Sequence, residues 1–274
     1  MWAAFAVPSA VAFGIADFAG GLAARRAPVL TVTATAQAAG LLALVPALWL
    51  VPGVLSGRAV LVGVLAGFSG VAGLLLYFRG LAVGPMGTVA PLSAVVAAGV
   101  PLAVGIVGGE RPGPVTIAAI LVALVAIVLA TAGSRREPAA LHGVLLGLAS
   151  GFGFGIFFAV LDATPPDSGV WPLVAGRAAS VTLLAGLLAV RRPGRPGPGL
   201  WLMVVSGVLD SAANVLFLLA TREGALGPSA VTVSLYPVVV VLLARVVLAE
   251  RLTGLQATSV VLAVTASVAL AAGG

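Results

Sequence analysis

Apolar residues run through this chain in blocks of roughly twenty, set apart by short clusters of Arg, Gly and Pro. The blocks cover 2–22, 30–51, 59–82, 86–107, 114–132, 141–161, 171–190, 200–221, 229–249 and 253–272. Each has the length of a helix that crosses a hydrocarbon core, so the pattern predicts ten transmembrane helices. Ten such helices use ~200 of the 274 residues and leave roughly seven for each connection. The longest connection, 191–199 (RRPGRPGPG), is too polar and Pro-rich for a helix, and no other could hold a domain. The first block lacks a charged leader and runs apolar past signal-peptide length, so it is read as a retained first span.

Composition agrees with the pattern. The chain is 61% hydrophobic and 8% charged, against about 25% charged in an ordinary globular protein. A water-exposed surface cannot be built from it. The balance of 14 basic to 8 acidic residues, +6, does not point to nucleic acid. Every basic residue is Arg, and most flank apolar blocks singly or in pairs, as membrane topology signals do. With no Cys, disulfides and thiolate metal sites are excluded. Lys is absent and no phosphate-binding G-x-x-x-x-G-K-[ST] occurs, so nucleotide hydrolysis has no machinery here, and no cofactor is implied.

The sequence also repeats itself. Ala82-Val83-Gly84-Pro85 recurs as Ala225-Leu226-Gly227-Pro228, and each is followed, after one further block, by Glu110-Arg111 and Glu250-Arg251. Phe13-Gly14-Ile15 returns as Phe154-Gly155-Ile156, and Gln37 aligns with Arg177. The expected fold is therefore all-α and polytopic, two five-helix repeats over 1–137 and 138–274. Five is odd, so the second repeat enters the membrane opposite to the first. Inverted repeats around a central cavity are the architecture of many secondary transporters, because exchanging the halves' conformations turns an outward-open cavity inward.

From Gly84-Pro85 to Glu110-Arg111, and again from Gly227-Pro228 to Glu250-Arg251, the chain resembles the EamA-type repeat of the drug/metabolite transporter superfamily. The second copy carries Ala230, Ser234, Tyr236-Pro237, Glu250-Arg251-Leu252-Thr253 and Gln256 in the expected order; in the first, Pro91, Pro101 and Gly109-Glu110-Arg111-Pro112 take those parts. The resemblance covers nearly the whole chain. It implies spans 1 to 4 and 6 to 9 around a cavity, spans 5 and 10 outside, and export or exchange of a small organic solute: amino acids, other metabolites, drugs or sugar-derived compounds. The repeat often has an Arg near the start of its second helix, present here as Arg177 but replaced by Gln37 in the first half.

Ionisable groups inside spans are costly and normally face a cavity or a partner. Asp17 is a candidate proton site or amine contact, with pairing to Arg25 or Arg26 as the plain alternative. Asp210 and Asn214, spaced i, i+4, share one helical face. Arg177 is the expected partner for Asp210 or for an anionic solute, and an internal pair that merely joins two helices is the alternative. Asp17 and Asp210 are the coupling candidates. Gln37, Tyr77, Ser93, Ser234 and Tyr236 complete the expected substrate-contacting set. Pro91, Pro101 and Pro237, inside spans, are hinge candidates. Glu110, Arg111, Glu250 and Arg251 are expected to be structural, the acids capping the helices they precede. Arg245 is expected to snorkel to the interface, and His142, at a span edge without companion ligands, to be interfacial. Gly147, Gly151 and Gly155, like Gly63 and Gly67, predict close helix packing and not a dinucleotide loop.

The expected function is a secondary transporter, not an enzyme, in the plasma (inner) membrane, with a small-molecule substrate, lipid and protons as partners, as monomer or homodimer. An intramembrane lipid-modifying enzyme would need converging acids, a metal cluster or a nucleophile with a base, whereas the acids are scattered singly. A non-transporting sensor or assembly subunit would lack a central cavity. The Arg flanking odd-numbered connections outnumber the rest ten to three, which by the charge rule places both termini outside, whereas the family resemblance implies termini in the cytoplasm.

Overall fold

The computed structural model describes residues 3–109, 111, 113–134, 137–191, 199–222, 232–233 and 235–273. Its elements are α1 (Ala3–Ala24), α2 (Val29–Leu44), the single turn α3 (Ala47–Leu50), α4 (Gly57–Val83), α5 (Met86–Val107), α6 (Pro114–Ser134), α7 (Pro138–Asp162), α8 (Trp171–Arg191), α9 (Leu200–Arg222), α10 (Tyr236–Val247) and α11 (Gly254–Gly273). Among the described residues, six helices are long and apolar enough to cross a membrane: Ala3–Ala24, Gly57–Val83, Met86–Val107, Pro138–Asp162, Trp171–Arg191 and Leu200–Ala220. Four more, Val29–Leu44, Pro114–Ala130, Tyr236–Val247 and Gly254–Ala269, are apolar but shorter.

Two expectations about helix continuity change. The second block is not one helix: Pro46 has no N–H to continue the ladder, so α2 ends at Leu44 and the chain turns before α3. Pro237 sits not in mid-helix but in the first turn of α10, where a missing N–H is one of the free ones anyway. Pro91 and Pro101 do lie within α5.

The packing is inside-out relative to a soluble protein. Small residues fill the interior, among them Ala6, Ala16, Ala23, Ala59, Ala66 and Ala126, while Leu42, Trp49, Val107, Val190, Trp201 and Val246 face outward at 64–89% exposure. That distribution suits lipid, where close approach of small residues joins helices. Gly63 and Gly67 of α4 lie against the backbone of Pro172 and Gly176 on α8, and Gly207 of α9 against Ala36 on α2. Gly147, Gly151 and Gly155 all lie on the α5–α7 contact, as their spacing predicts.

The halves interleave. The largest helix contacts are α4 with α7, α1 with α9, and α6 with α11, followed by α5 with α7, α2 with α9 and α4 with α8. Exchanging each helix for its counterpart, α1 for α7, α2 for α8, α4 for α9, α5 for α10 and α6 for α11, returns five of these six contacts, while α5 with α7 becomes the smaller contact of α1 with α10. Single residues follow the same rule: Gly14 lies against Val239 and the Tyr236 carbonyl, and Gly155 against Val100 and the Ala97 carbonyl. The end of α1 and the start of α7 share one face of the bundle, since Arg25 donates to the Gly84 carbonyl at 2.9 Å and Gly143 lies against Gly84 Cα.

Candidate substrate and coupling site

Polar groups meet where α1, α2, α4, α8 and α9 converge. On α9, Asn214 Nδ2 donates to the Asp210 carbonyl at 2.8 Å and lies 3.4 Å from Asp210 Oδ2, as their i, i+4 spacing predicts. From α8, Arg177 donates through Nη2 to Asp210 Oδ2 and through Nη1 to Gln37 Oε1 on α2. The Arg177 and Asp210 side chains are 14% and 29% exposed. Gly40 admits this arrangement: a Cβ there would lie 2.9 Å from Arg177 Nη1 and 2.7 Å from Ser211 Oγ. Ser211 in turn donates to the Gly40 carbonyl at 2.9 Å and ties α9 to α2.

Gln37 and Arg177 hold equivalent positions in the two sequence repeats and touch each other. This accounts for the departure in the first half. An Arg at both positions would press two guanidinium groups together, with one carboxylate to neutralise them.

Asp17 does not pair with Arg25 or Arg26. Its Oδ2 accepts the Tyr77 hydroxyl at 2.8 Å, and among the described residues it has no cation partner. Tyr77 is buried and held edge-on by Phe154, with ring centroids 5.6 Å apart. Asp17, Arg177 and Asp210 line one cavity of about 10 Å³, walled by Ala36, Leu74, Phe78, Ser206 and Gly207. That is room for about one water. The cavity thus presents two carboxylates and one guanidinium, with the positive charge committed to Asp210.

Of the expected set, the structure brings Gln37, Arg177, Asp210, Asn214, Asp17 and Tyr77 together. Ser93 lies elsewhere, buried against Ser150 on α7 with the two hydroxyls 2.8 Å apart. Tyr236 packs its ring on Phe13, 6.1 Å between centroids, and lies near enough to Asp17 and Tyr77 to interact with both electrostatically, so it borders the same group. Ser234 and Glu110 lie outside the described residues. Arg111, Arg251, Arg245 and His142 are exposed. Glu250 does not cap the helix it precedes. Helix α11 is capped by a reciprocal pair, Gln256 Oε1 accepting from Thr253 N–H at 3.0 Å and Thr253 Oγ1 from Gln256 N–H at 3.3 Å. The apolar walls Leu74 and Phe78 were not among the expected residues, and neither was Ser206. Ala36 and Gly207 carried a signal: each stands one repeat away from Gly176 or Gly67, so one close helix contact is encoded twice.

The model of the EamA-like transporter family matches the chain twice, over 1–132 and 141–272. The chain belongs to that family. As an EamA-like protein it is a multi-pass membrane protein of the drug/metabolite transporter type. No curated protein sequence matches it. A solved structure described as "Crystal structure of protein" is similar over 96% of this chain and 97% of its own, with 19% identity and a TM-score of 0.61, which shows a shared fold.

Proposed function

We propose that this EamA-like chain is a secondary transporter of small organic metabolites, an exporter or exchanger in the plasma (inner) membrane. It crosses the membrane ten times as two inverted five-helix repeats, 1–137 and 138–274, and works by alternating access. The observation that carries the reading is a charged triad, Asp17, Arg177 and Asp210, around a cavity too small for any metabolite. A structural ion pair would account for Arg177 and Asp210 alone. It leaves Asp17, a third ionisable group facing the same gap, hydrogen-bonded to the neutral Tyr77 hydroxyl and with no cation beside it among the described residues. Buried charges of this kind mark solute and proton paths.

In this reading the described conformation is occluded. Arg177 and Asp210 neutralise each other while the site is empty, and Gln37 and Asn214 hold them in register. A solute group of either sign gains a partner by entering between them. Asp17 is the coupling carboxylate: a proton there removes the site's uncompensated negative charge, and Tyr77 keeps the oxygen oriented. No nucleotide-binding loop supplies energy, so a proton or solute gradient drives the cycle. The interleaved contacts, most of which recur on exchange of the halves, support rocking of one set of helices against its counterpart.

The test uses the whole chain in proteoliposomes loaded with a pH-reporting dye and a panel of amino acids, amines and small carboxylates. One class should elicit solute-dependent proton movement. Asp17→Asn should abolish the proton signal while leaving solute exchange measurable, and Arg177→Gln should abolish both. Full proton movement in D17N would remove Asp17 from the mechanism.

A further inference from the structure

At the end of the bundle where α1 finishes, a single carboxylate from the second half reaches into the first. Glu250, in the link between α10 and α11, accepts the Met86 N–H through Oε1 at 3.0 Å and the Gly87 N–H through Oε2 at 3.1 Å. These are the free amides that open α5. The same Oε1 accepts Arg25 Nη2 at 2.9 Å. Arg25 also donates to the carbonyls of Leu81, through Nε at 3.0 Å, and Gly84, through Nη2 at 2.9 Å, so its guanidinium closes the end of α4. Carboxylate and cation complement the two helix ends that meet at this turn.

Three features set the cluster apart from an ordinary cap. Helix α11 has its own capping pair, so Glu250 is not needed there. Ala249, which presents it, has φ +51°, and is the one non-Gly residue with positive φ among those described. Such strain persists where surrounding contacts hold it and is concentrated at switch positions. Third, the opposite end of the bundle is closed without an ion pair among the described residues. There Val54 N–H donates to the Asp167 carbonyl at 2.8 Å, Trp171 Nε1 to the Gly53 carbonyl at 3.2 Å, and Leu44, Ala47, Val51, Val170 and Val215 form an apolar plug. The ionic end is within reach of water, with Arg25 and Glu250 side chains 27% and 15% exposed.

We propose that Glu250, clamped by Arg25 on the start of α5, is the releasable gate of the transport cycle at this end. When it leaves, the α10–α11 link separates from α5 and the cavity opens to that side. Hydration of the released charges offsets the lost bonds, and relaxation of Ala249 favours release. The inference rests on the carrier reading above.

The natural absence of Cys allows a direct test with the full chain in intact cells and inverted vesicles. A single-Cys variant, Ser206→Cys, places a thiol in the cavity wall, and a membrane-impermeant cationic methanethiosulfonate is applied from either side. Arg26→Cys, in a separate chain, reports which preparation exposes the Arg25 end. Adding Glu250→Gln to S206C should speed labelling from the Arg25 end about tenfold, the scale of a lost charge-assisted hydrogen bond, and leave the other end unchanged. Arg25→Gln should act in the same direction and serves if E250Q does not fold. Ala249→Gly, which keeps every contact and removes the strain, should slow labelling from the Arg25 end. Equal acceleration from both ends, or none from the Arg25 end, overturns the gate alone. A thiol unreachable from either side in every variant overturns the carrier reading with it.

Discussion

At the residue scale, the centre of the protein is organised by one substitution between its halves. Gln37 and Arg177 occupy equivalent places and touch each other, with Asp210 on one side only. The counterpart of Asp210 in the first half is Gly70, so a second Arg would find no second acid. Gln37→Arg should therefore destabilise the protein by about 3 kcal/mol, the scale of an uncompensated buried charge. Adding Arg177→Gln to that chain should recover most of the loss. Thermal unfolding in detergent, followed through the four Trp residues, measures both. A Q37R protein as stable as the parent would mean that the two positions do not face each other as described. The same reasoning explains what was readable here. Asp210, Asn214 and Arg177 announced themselves as rare charged or amide groups in apolar spans, and helical spacing placed two of them on one face. The bond from Tyr77 to Asp17 was not readable, because it joins helices sixty residues apart in sequence and depends on how α1 and α4 are rotated.

At the element scale, rotation is set by glycine. Helices that are apolar all round carry no amphipathic stripe to say which face turns inward, so Gly67 against Gly176 and Gly207 against Ala36 fix the faces by allowing backbones to touch. Gly67→Val should separate α4 from α8 and cost about 3 kcal/mol by overpacking. Gly186, on the exposed side of α8 with nothing near its missing Cβ, is the control. Gly186→Ala should gain ~0.5–1 kcal/mol, the ordinary benefit of replacing a helical Gly. If G67V unfolds no more readily than G186A in the same Trp fluorescence assay, the close contact does not hold these helices. The all-helical character of the chain was legible in the apolar blocks, but some helix ends were not. Apolarity ran through Pro46, which stops α2, and gave no sign that α10 begins at Tyr236. Glu250 was read as a cap of the following helix because acids favour helix starts. The true cap, Thr253 with Gln256, lies three residues further on. Only the folded chain brings Glu250 to the start of α5.

At the scale of the whole molecule, the proposed inversion decides whether the halves can exchange roles. In parallel repeats, α1 and α7 would begin at the same face, and the end of α1 would lie a full membrane away from the start of α7. Here Arg25 and Gly143 both reach Gly84, which supports the opposite sense. The expected outcome is therefore specific. Single thiols introduced as Arg26→Cys and His142→Cys, both exposed, should react with an impermeant reagent from the same side of the membrane. Gly57→Cys and Asp167→Cys, exposed at the other end, should react only from the opposite side. The pattern holds whichever side proves cytoplasmic, so it does not depend on the conflict between the Arg count and the family resemblance. If R26C and H142C react from opposite sides, the repeats are parallel and rocking of equivalent halves cannot alternate access. If they react together, the repeats are inverted and one cavity can face each side in turn.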